Sequence, residues 1–315
     1  MDTYNIYKDI NARTQGEIYI GVVGPVRSGK STFIKHFAEK LILPFMSDGA
    51  GKERTKDELP QSAAGRTVMT TEPKFIPREA CVINPAQDIS MKIRLIDCVG
   101  FMIDGATGVV EDGKERLVKT PWYDYEIPFS EAAEFGTRKV IKDHSTVGIV
   151  MTTDGSIGEL PRDSYKAAEA ATIEELKKIG KPFVVVVNSK NPAAKSATEC
   201  VDEIKKAYGA EAVSLDCEQL TLDDVNRTLE LLLNSFPING IEFYFDRWIE
   251  TLPDDNEIKQ AMVECAGQIL DRITYIKDFN KDSIKVENKY IEDVRSEPVD
   301  MADGIIRLSL SLIHI

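Results

Sequence analysis

The run Gly24-Pro25-Val26-Arg27-Ser28-Gly29-Lys30-Ser31-Thr32 has the residue types and spacing of a phosphate-binding loop, G-x-x-x-x-G-K-[ST]. Gly24 lets the backbone leave a strand through a tight turn, and Gly29 lets it close on phosphates with no side chain in the way. The N–H groups of Val26 to Ser31 are expected to point into the loop, at the N-terminus of the next helix, where an anion is favoured. Lys30 is placed to reach the β- and γ-phosphates, and the Ser31 hydroxyl to ligate Mg²⁺.

Other positions extend this chemistry. Asp97 opens the D-x-x-G run Asp97-Cys98-Val99-Gly100; its carboxylate is expected to hold a Mg²⁺-bound water, with the Gly100 N–H meeting the γ-phosphate. Thr70 and Thr71 lie between the loop and that run, where a threonine touching Mg²⁺ and the γ-phosphate reports which nucleotide is bound. Phe101 stands where many regulatory GTPases carry a glutamine that orients the attacking water, which an apolar side chain cannot do. Hydrolysis is therefore expected to be slow, or to borrow a polar group from elsewhere, such as a neighbouring copy. Asn188-Ser189-Lys190-Asn191-Pro192 occupies the place of N-K-x-D, whose aspartate accepts hydrogen bonds from guanine. Asn188 is present but the carboxylate three residues on is not, so ATP becomes the expected nucleotide.

The elements needed to hold these groups are legible on either side. Glu17 to Val23 is β-branched and apolar and predicts a buried strand; Thr32 to Leu41 has apolar residues at helical spacing, ending near Leu43 and Pro44. Met91 to Ile96, Val147 to Thr153, Lys181 to Val187 and Ala212 to Leu215 predict further strands, with Lys181 to Val187 central. Helices are expected over Pro161 to Ile179 with Gly180 closing it, Ala197 to Tyr208, and Leu222 to Leu233 with Thr221 near its cap. Strand–helix alternation implies an α/β fold with a mainly parallel sheet, helices on both faces, and the nucleotide at the carboxyl ends of the strands. Residues 1–16 read as a polar lead and Ser47 to Gln61 as a solvated loop. The long segment 102–145 is expected to hold a helix from Ser130 to Lys142 capped by Ser130, preceded by an aromatic patch at 122–129 that is either local core, the better reading, or a partner surface. The pattern changes after Gly240. Ile241 to Phe245 predicts a strand and Glu257 to Ile276 a helix with Ile258, Met262, Ile269 and Ile273 along one side. The expected organisation is thus a phosphate-loop (P-loop) nucleoside triphosphatase domain over 1–238 and the start of an α+β domain over 239–315, the last run stopping inside an apparent strand as if cut short.

Composition bounds the rest. A chain of 315 residues with 43% hydrophobic content can bury a proper core. No apolar run reaches the roughly 18 residues that span a bilayer, and the N-terminus lacks the basic and apolar regions of a signal peptide, so a cytoplasmic protein is expected. A net charge of −13 argues against non-specific nucleic-acid binding. The five cysteines show no C-x-x-C pair and read as reduced, buried thiols. His36, His144 and His314 show no metal or triad spacing.

With these residues assembled, the chain resembles the stage IV sporulation protein A family of spore-forming Firmicutes, from Met1 to about Asp303. The most specific stretches are Gly21 to Thr32, Arg66 to Pro73 and Asp97 to Gly100. The resemblance implies an ATPase of GTPase ancestry (TRAFAC type) that polymerises irreversibly over the forespore surface in the mother cell, as the basement layer of the spore coat. It implies as partners further copies of itself, the small amphipathic membrane peptide stage V sporulation protein M, which makes membrane contact indirect, and other coat morphogenetic proteins. Lys30 then corresponds to the phosphate-loop lysine, Thr70 and Thr71 to the sensor threonines and Asp97 to the acidic Mg²⁺ residue. The resemblance implies that family members continue through more of the middle domain and a C-terminal region needed for forespore targeting, so a C-terminally truncated chain is expected.

Overall fold

The computed structural model describes residues 16–47, 49–60, 73–86, 89–103, 105–106, 110–111, 114–297, 299 and 304–312. The chain divides into two compact units, residues 1–83 with 92–232, and residues 84–91 with 233–315.

In the first unit, β1 (Glu17–Val23) leads through the glycine loop into α1 (Lys30–Phe37). The helix continues as a π turn over Ala38–Ile42 and a 3-10 turn over Leu43–Phe45. Phe33, Ile34, Phe37, Ala38, Leu41 and Ile42 form its buried stripe. Pro44 sits inside the last turn rather than beyond it, since proline is tolerated in the first positions of a helical turn. The charged run after it is a helix, α2 (Ala50–Glu58), and not the expected loop. Only Thr55 is buried there, so no apolar periodicity announces the helix, although Lys, Glu and Arg are good helix formers.

β2 (Lys74–Ala86) had no clear signal, because Pro77 and Pro85 interrupt it. It lies at the sheet edge, where a missing N–H breaks no ladder. β3 (Ile89–Asp97) follows. The segment after it forms two small antiparallel hairpins: β4 (Val110–Glu111) with β5 (Lys114–Glu115), and β6 (Leu117–Thr120) with β7 (Tyr123–Pro128). Helix α3 (Phe129–Lys139) then runs into a π turn over Val140–His144. Ser130 does not cap α3: Pro128 is at the cap, and the Ser130 hydroxyl donates instead to Glu115 Oε1 at 2.6 Å. The aromatic patch divides. Ile127 and Phe129 are buried, Trp122 and Tyr123 pack on Phe135 with ring centroids 5.2 and 5.4 Å apart, and Tyr125 is 65% exposed.

β8 (Val147–Thr153), α4 (Asp163–Ile179), β9 (Phe183–Asn188), α5 (Lys195–Tyr208), β10 (Ala212–Leu215) and α6 (Leu222–Asn234) complete the alternation. Gly180 closes α4 with φ 81°. Thr221 and Asp224 cap α6 reciprocally, the Asp224 N–H donating to Thr221 Oγ1 at 3.2 Å and the Thr221 N–H to Asp224 Oδ2 at 3.0 Å. The six-stranded sheet has the order β10-β9-β8-β1-β3-β2, and β1 pairs in parallel with both β3 and β8, as does β9 with β8 and β10. Tyr165, Leu176, Cys200 and Ile204 of α4 and α5 cluster with Val23, Val150, Val185 and Val187 on one face. Strand alternation sends Ile20 and Val22 to the other face, where they are equally buried, so both faces are covered.

In the second unit, β11 (Gly240–Tyr244) pairs in parallel with β13 (Ile305–Leu312), and β12 (Ile291–Ser296) pairs antiparallel with it on the other side. α7 (Glu257–Arg272) starts at Asn256, whose side chain accepts from the Ile258 N–H at 2.9 Å. It ends four residues short of the expected Ile276. Met262, Cys265 and Ile269 of α7 pack with Ile306, Leu308 and Leu310.

Candidate functional site

The loop lies at the carboxyl end of β1, at the middle of the sheet. Its glycines are required by close approach as well as by conformation. Gly24 has φ 130°, and a Cβ there would stand 2.2 Å from the Met151 carbonyl oxygen. Gly29 has φ 93°, and a Cβ there would stand 2.2 Å from Asn188 Nδ2. Ser28 Oγ donates to the Pro25 carbonyl at 2.9 Å and so tightens the turn from within. α1 begins at Lys30, with Gly29 as its cap, and the N–H groups of its first turn have no intrahelical carbonyl to bond. Ser31 and Thr32 sit in this turn, half-buried.

The D-x-x-G run is stitched to the loop by backbone. The Val26 N–H donates to the Phe101 carbonyl at 2.8 Å and the Phe101 N–H to the Gly24 carbonyl at 3.1 Å. This corrects one expectation: the Val26 N–H is engaged by the Phe101 carbonyl and does not point into the loop. The Phe101 side chain is buried, in one cluster with Val26 and Val23.

Lys30 is 5% exposed, and its ammonium donates to the Pro25 carbonyl at 2.6 Å and the Gly24 carbonyl at 3.5 Å. Burial holds it below the ordinary lysine range, against the opposing pull of Cys98 and Asp97. Asp97 ends β3, and its Oδ2 accepts from Ser31 Oγ at 3.3 Å. Its Oδ1 is buried and makes no hydrogen bond among the described residues. Burial pushes this carboxyl above its usual range, opposed by Lys30, the Ser31 hydroxyl and the nearby Cys98 backbone N–H, which falls short of hydrogen-bond geometry at Oδ1. A hydroxyl beside a buried carboxylate oxygen with no hydrogen bond is a donor set that fits a hard, oxygen-seeking divalent cation. Ser31 and Asp97 are the residues that would hold it, and the cation would supply charge to a bound phosphate chain.

Gly100 has φ 102°, and a Cβ there would stand 2.2 Å from the Gly24 carbonyl oxygen and 2.5 Å from Lys30 Nζ. Its N–H donates to Thr137 Oγ1 at 3.1 Å, and that hydroxyl in turn donates to the Ala133 carbonyl at 2.8 Å. Thr137 is fully buried on α3. Sequence reasoning missed it, and nothing local marks it: the bond spans 37 residues. The turn that ends this helix is fastened by Lys181, whose ammonium donates to the carbonyls of Ile141 at 2.6 Å, Lys142 at 2.9 Å and Ser145 at 2.5 Å.

Asn188, at the end of β9, is 3% exposed, with Nδ2 donating to the Ser28 carbonyl at 3.1 Å and Oδ1 accepting from the Cys217 N–H at 3.1 Å. Both ends of its amide are engaged by the protein, so it braces the loop against the β10 end. A second missed cluster lies beside it. Asp154 Oδ1 accepts from the Ser156 N–H and hydroxyl, and Oδ2 accepts from Ser189 Oγ at 2.8 Å and Ser196 Oγ at 3.1 Å. Burial alone would raise this carboxyl, but the hydrogen bonds from Ser156, Ser189 and Ser196 outweigh it and hold the group below its usual range. Thr70 and Thr71 lie outside the described residues. Among the described residues no group of three His, Cys, Asp or Glu side chains could hold a metal, all five cysteines are free and buried, and no helix is long and apolar enough to cross a membrane.

Fold and site together define a mixed α/β protein with a phosphate-loop site at the carboxyl end of a mostly parallel sheet. The chain belongs to the stage IV sporulation protein A family: residues 1–237 match the ATPase domain of that family and residues 238–314 its middle domain. It is similar to stage IV sporulation protein A of Clostridioides difficile, 42% identical over 97% of this chain and 62% of that protein. The Bacillus subtilis protein of the same name is 40% identical over 98% of this chain and 63% of its own length. The chain therefore spans about three fifths of these relatives.

Proposed function

We propose that this chain is a Mg²⁺-dependent ATPase of GTPase-like (TRAFAC) type whose turnover drives self-assembly into a static polymer. That polymer is the basement layer of the spore coat, laid down in mother-cell cytoplasm on the forespore surface. In this reading residues 1–238 are the ATPase domain and 239–315 part of a second α+β domain. Copies of the same chain are the principal partner, and a small amphipathic membrane peptide, stage V sporulation protein M, makes the indirect link to membrane.

The observation that carries the reading is the Ser31–Asp97 pair, with one carboxylate oxygen that makes no hydrogen bond among the described residues, beside the loop lysine. From it the residue roles follow. N–H groups from Arg27 to Ser31 bind the phosphates, Lys30 leaves the Pro25 and Gly24 carbonyls for the β- and γ-oxygens, and Ser31 and Asp97 hold the cation. Thr70 and Thr71 sense the γ-phosphate, and Gly100 exchanges Thr137 for it. ATP is preferred to GTP because position 191 is Asn, with no carboxylate to accept from guanine. Buried Phe101 supports one alternative, a scaffold that binds nucleotide without turnover.

The test is single-turnover cleavage of ATP and GTP by the wild type beside Lys30→Ala and Thr70→Ala/Thr71→Ala, with sedimentation of the same samples. ATP-selective cleavage that is lost in both variants, with wild-type protein pelleting, is the expected result. Preference for GTP would replace the reading with a regulatory switch, and tight binding without cleavage would replace it with the scaffold.

A further inference from the structure

Phe101 leaves a gap in the proposed chemistry. A buried phenylalanine orients no water, so turnover leans the more on charge stabilisation at the γ-oxygens, to which Lys30 and the cation contribute in the proposed chemistry. Arg27 is the further cation of the loop that can add to it. It has φ 61°, the one non-glycine residue among those described with positive φ. Arginine is not a residue that enters the left-handed region readily, and strain of this kind persists where the surroundings over-determine it. Glycine would take the same turn without strain but would put no guanidinium at this point of the loop.

The side chain's position agrees. Gly24, Pro25, Val26 and Ser28 on either side are all buried, whereas Arg27 is exposed at the rim of the loop. Its charge is felt by the buried Tyr165 phenol on α4, where it opposes the upward push of burial. The other loop cation, Lys30, is buried among loop carbonyls, so of the two positive residues of the loop one is buried and one is exposed.

The geometry points to Arg27 as a catalytic residue that acts in cis: its guanidinium turns from the rim onto the γ-phosphoryl group of ATP bound in its own loop. This deepens the ATPase reading above and rests on it. In the step, water oxygen bonds to the γ-phosphorus as the bond to the β,γ-bridging oxygen breaks. That electron pair remains on ADP, and the water proton leaves with phosphate or to solvent. Arg27 donates to the equatorial oxygens and the bridging oxygen as charge grows on them, which a planar five-donor fork does better than an ammonium.

The experiment uses this chain with Arg27→Ala, Arg27→Gly and Arg27→Lys. Three quantities are measured for each: single-turnover ATP cleavage, affinity for a non-cleavable ATP analogue, and affinity for ADP with aluminium fluoride and Mg²⁺, which mimics the transition state. A stabilising arginine is expected to be worth about 10³-fold or more in rate. Ala and Gly should lose that factor and the tight aluminium fluoride complex, while analogue affinity stays within a few-fold; Lys should recover only a small part. The Gly variant keeps the turn and relieves its strain, so it separates the guanidinium from the backbone. If it cleaves ATP at the wild-type rate, or if analogue affinity falls as far as the rate does, Arg27 is not catalytic and only this inference fails. If the wild type cleaves no ATP at all, the ATPase reading fails and this one with it.

Discussion

At the residue scale, the phosphate-binding role proposed for Lys30 comes at a cost to the fold. A buried ammonium held below its ordinary range destabilises the folded protein wherever it must be charged. The sign is set by the direction of the shift. Between the lowered folded value and 10.5 the unfolded chain binds more protons, so stability rises with pH across that window. Lys30→Met removes the charge and keeps the stem. Its urea midpoint in nucleotide-free protein should exceed that of the wild type at neutral pH, and the gap should close as pH approaches 10.5. Single-turnover cleavage should fall by about 10²-fold or more, as when one transition-state donor is removed. A midpoint lower than wild type at neutral pH would mean that the hydrogen bonds to Pro25 and Gly24 outweigh desolvation. The places of Lys30 and Asp97 beside the loop could be read in sequence because they depend on spacing along one loop and one strand tip. Thr137, Asn188's brace to Cys217 and the Asp154–Ser189 network depend on partners 29 to 37 residues away, and no local pattern encodes them.

At the element scale, α3 is tied to the site by Thr137, which holds the Gly100 N–H, while Lys181, ahead of β9, fastens the turn over Val140–His144 that follows the helix. If the γ-phosphate replaces Thr137 at Gly100, as proposed, the nucleotide state is transmitted to α3. Thr137→Val tests this with almost no change in volume. In nucleotide-free protein it leaves a buried N–H without an acceptor, at a cost of about 1–3 kcal/mol in chemical denaturation. With a non-cleavable ATP analogue the deficit should shrink, because the phosphate supplies the acceptor; with ADP it should persist. An equal deficit with both nucleotides would place Gly100 away from the γ-phosphate. The elements that the sequence disclosed are those with a continuous buried apolar run, such as β8 and β9, or a periodic buried face, such as α5. α2 lacked such a face, and β2 carries prolines that only its edge position tolerates. Ser130 looked like a cap because serine often is one, but Pro128 fixes the start of α3 and Glu115 takes the hydroxyl.

At the scale of the whole molecule, a net charge of −13 bears directly on the proposed assembly. Copies of an acidic chain repel one another, and the range of that repulsion is set by salt: the Debye length is about 30 Å at 0.01 M and about 8 Å at 0.15 M. Nucleotide turnover within one copy does not remove that barrier between copies. If assembly rests on apolar and shape-matched contact, the fraction that pellets with ATP should rise as ionic strength goes from about 0.01 to 0.15 M, while the single-turnover cleavage rate changes little. The measurement is sedimentation of one protein stock across that range, with cleavage followed in the same tubes and Lys30→Ala as the baseline. Pelleting that falls with salt would mean that ion pairs between copies hold the polymer, and the acidic excess would then have to be concentrated away from the contacting surfaces. Pelleting of Lys30→Ala equal to wild type at every salt would separate assembly from the nucleotide altogether.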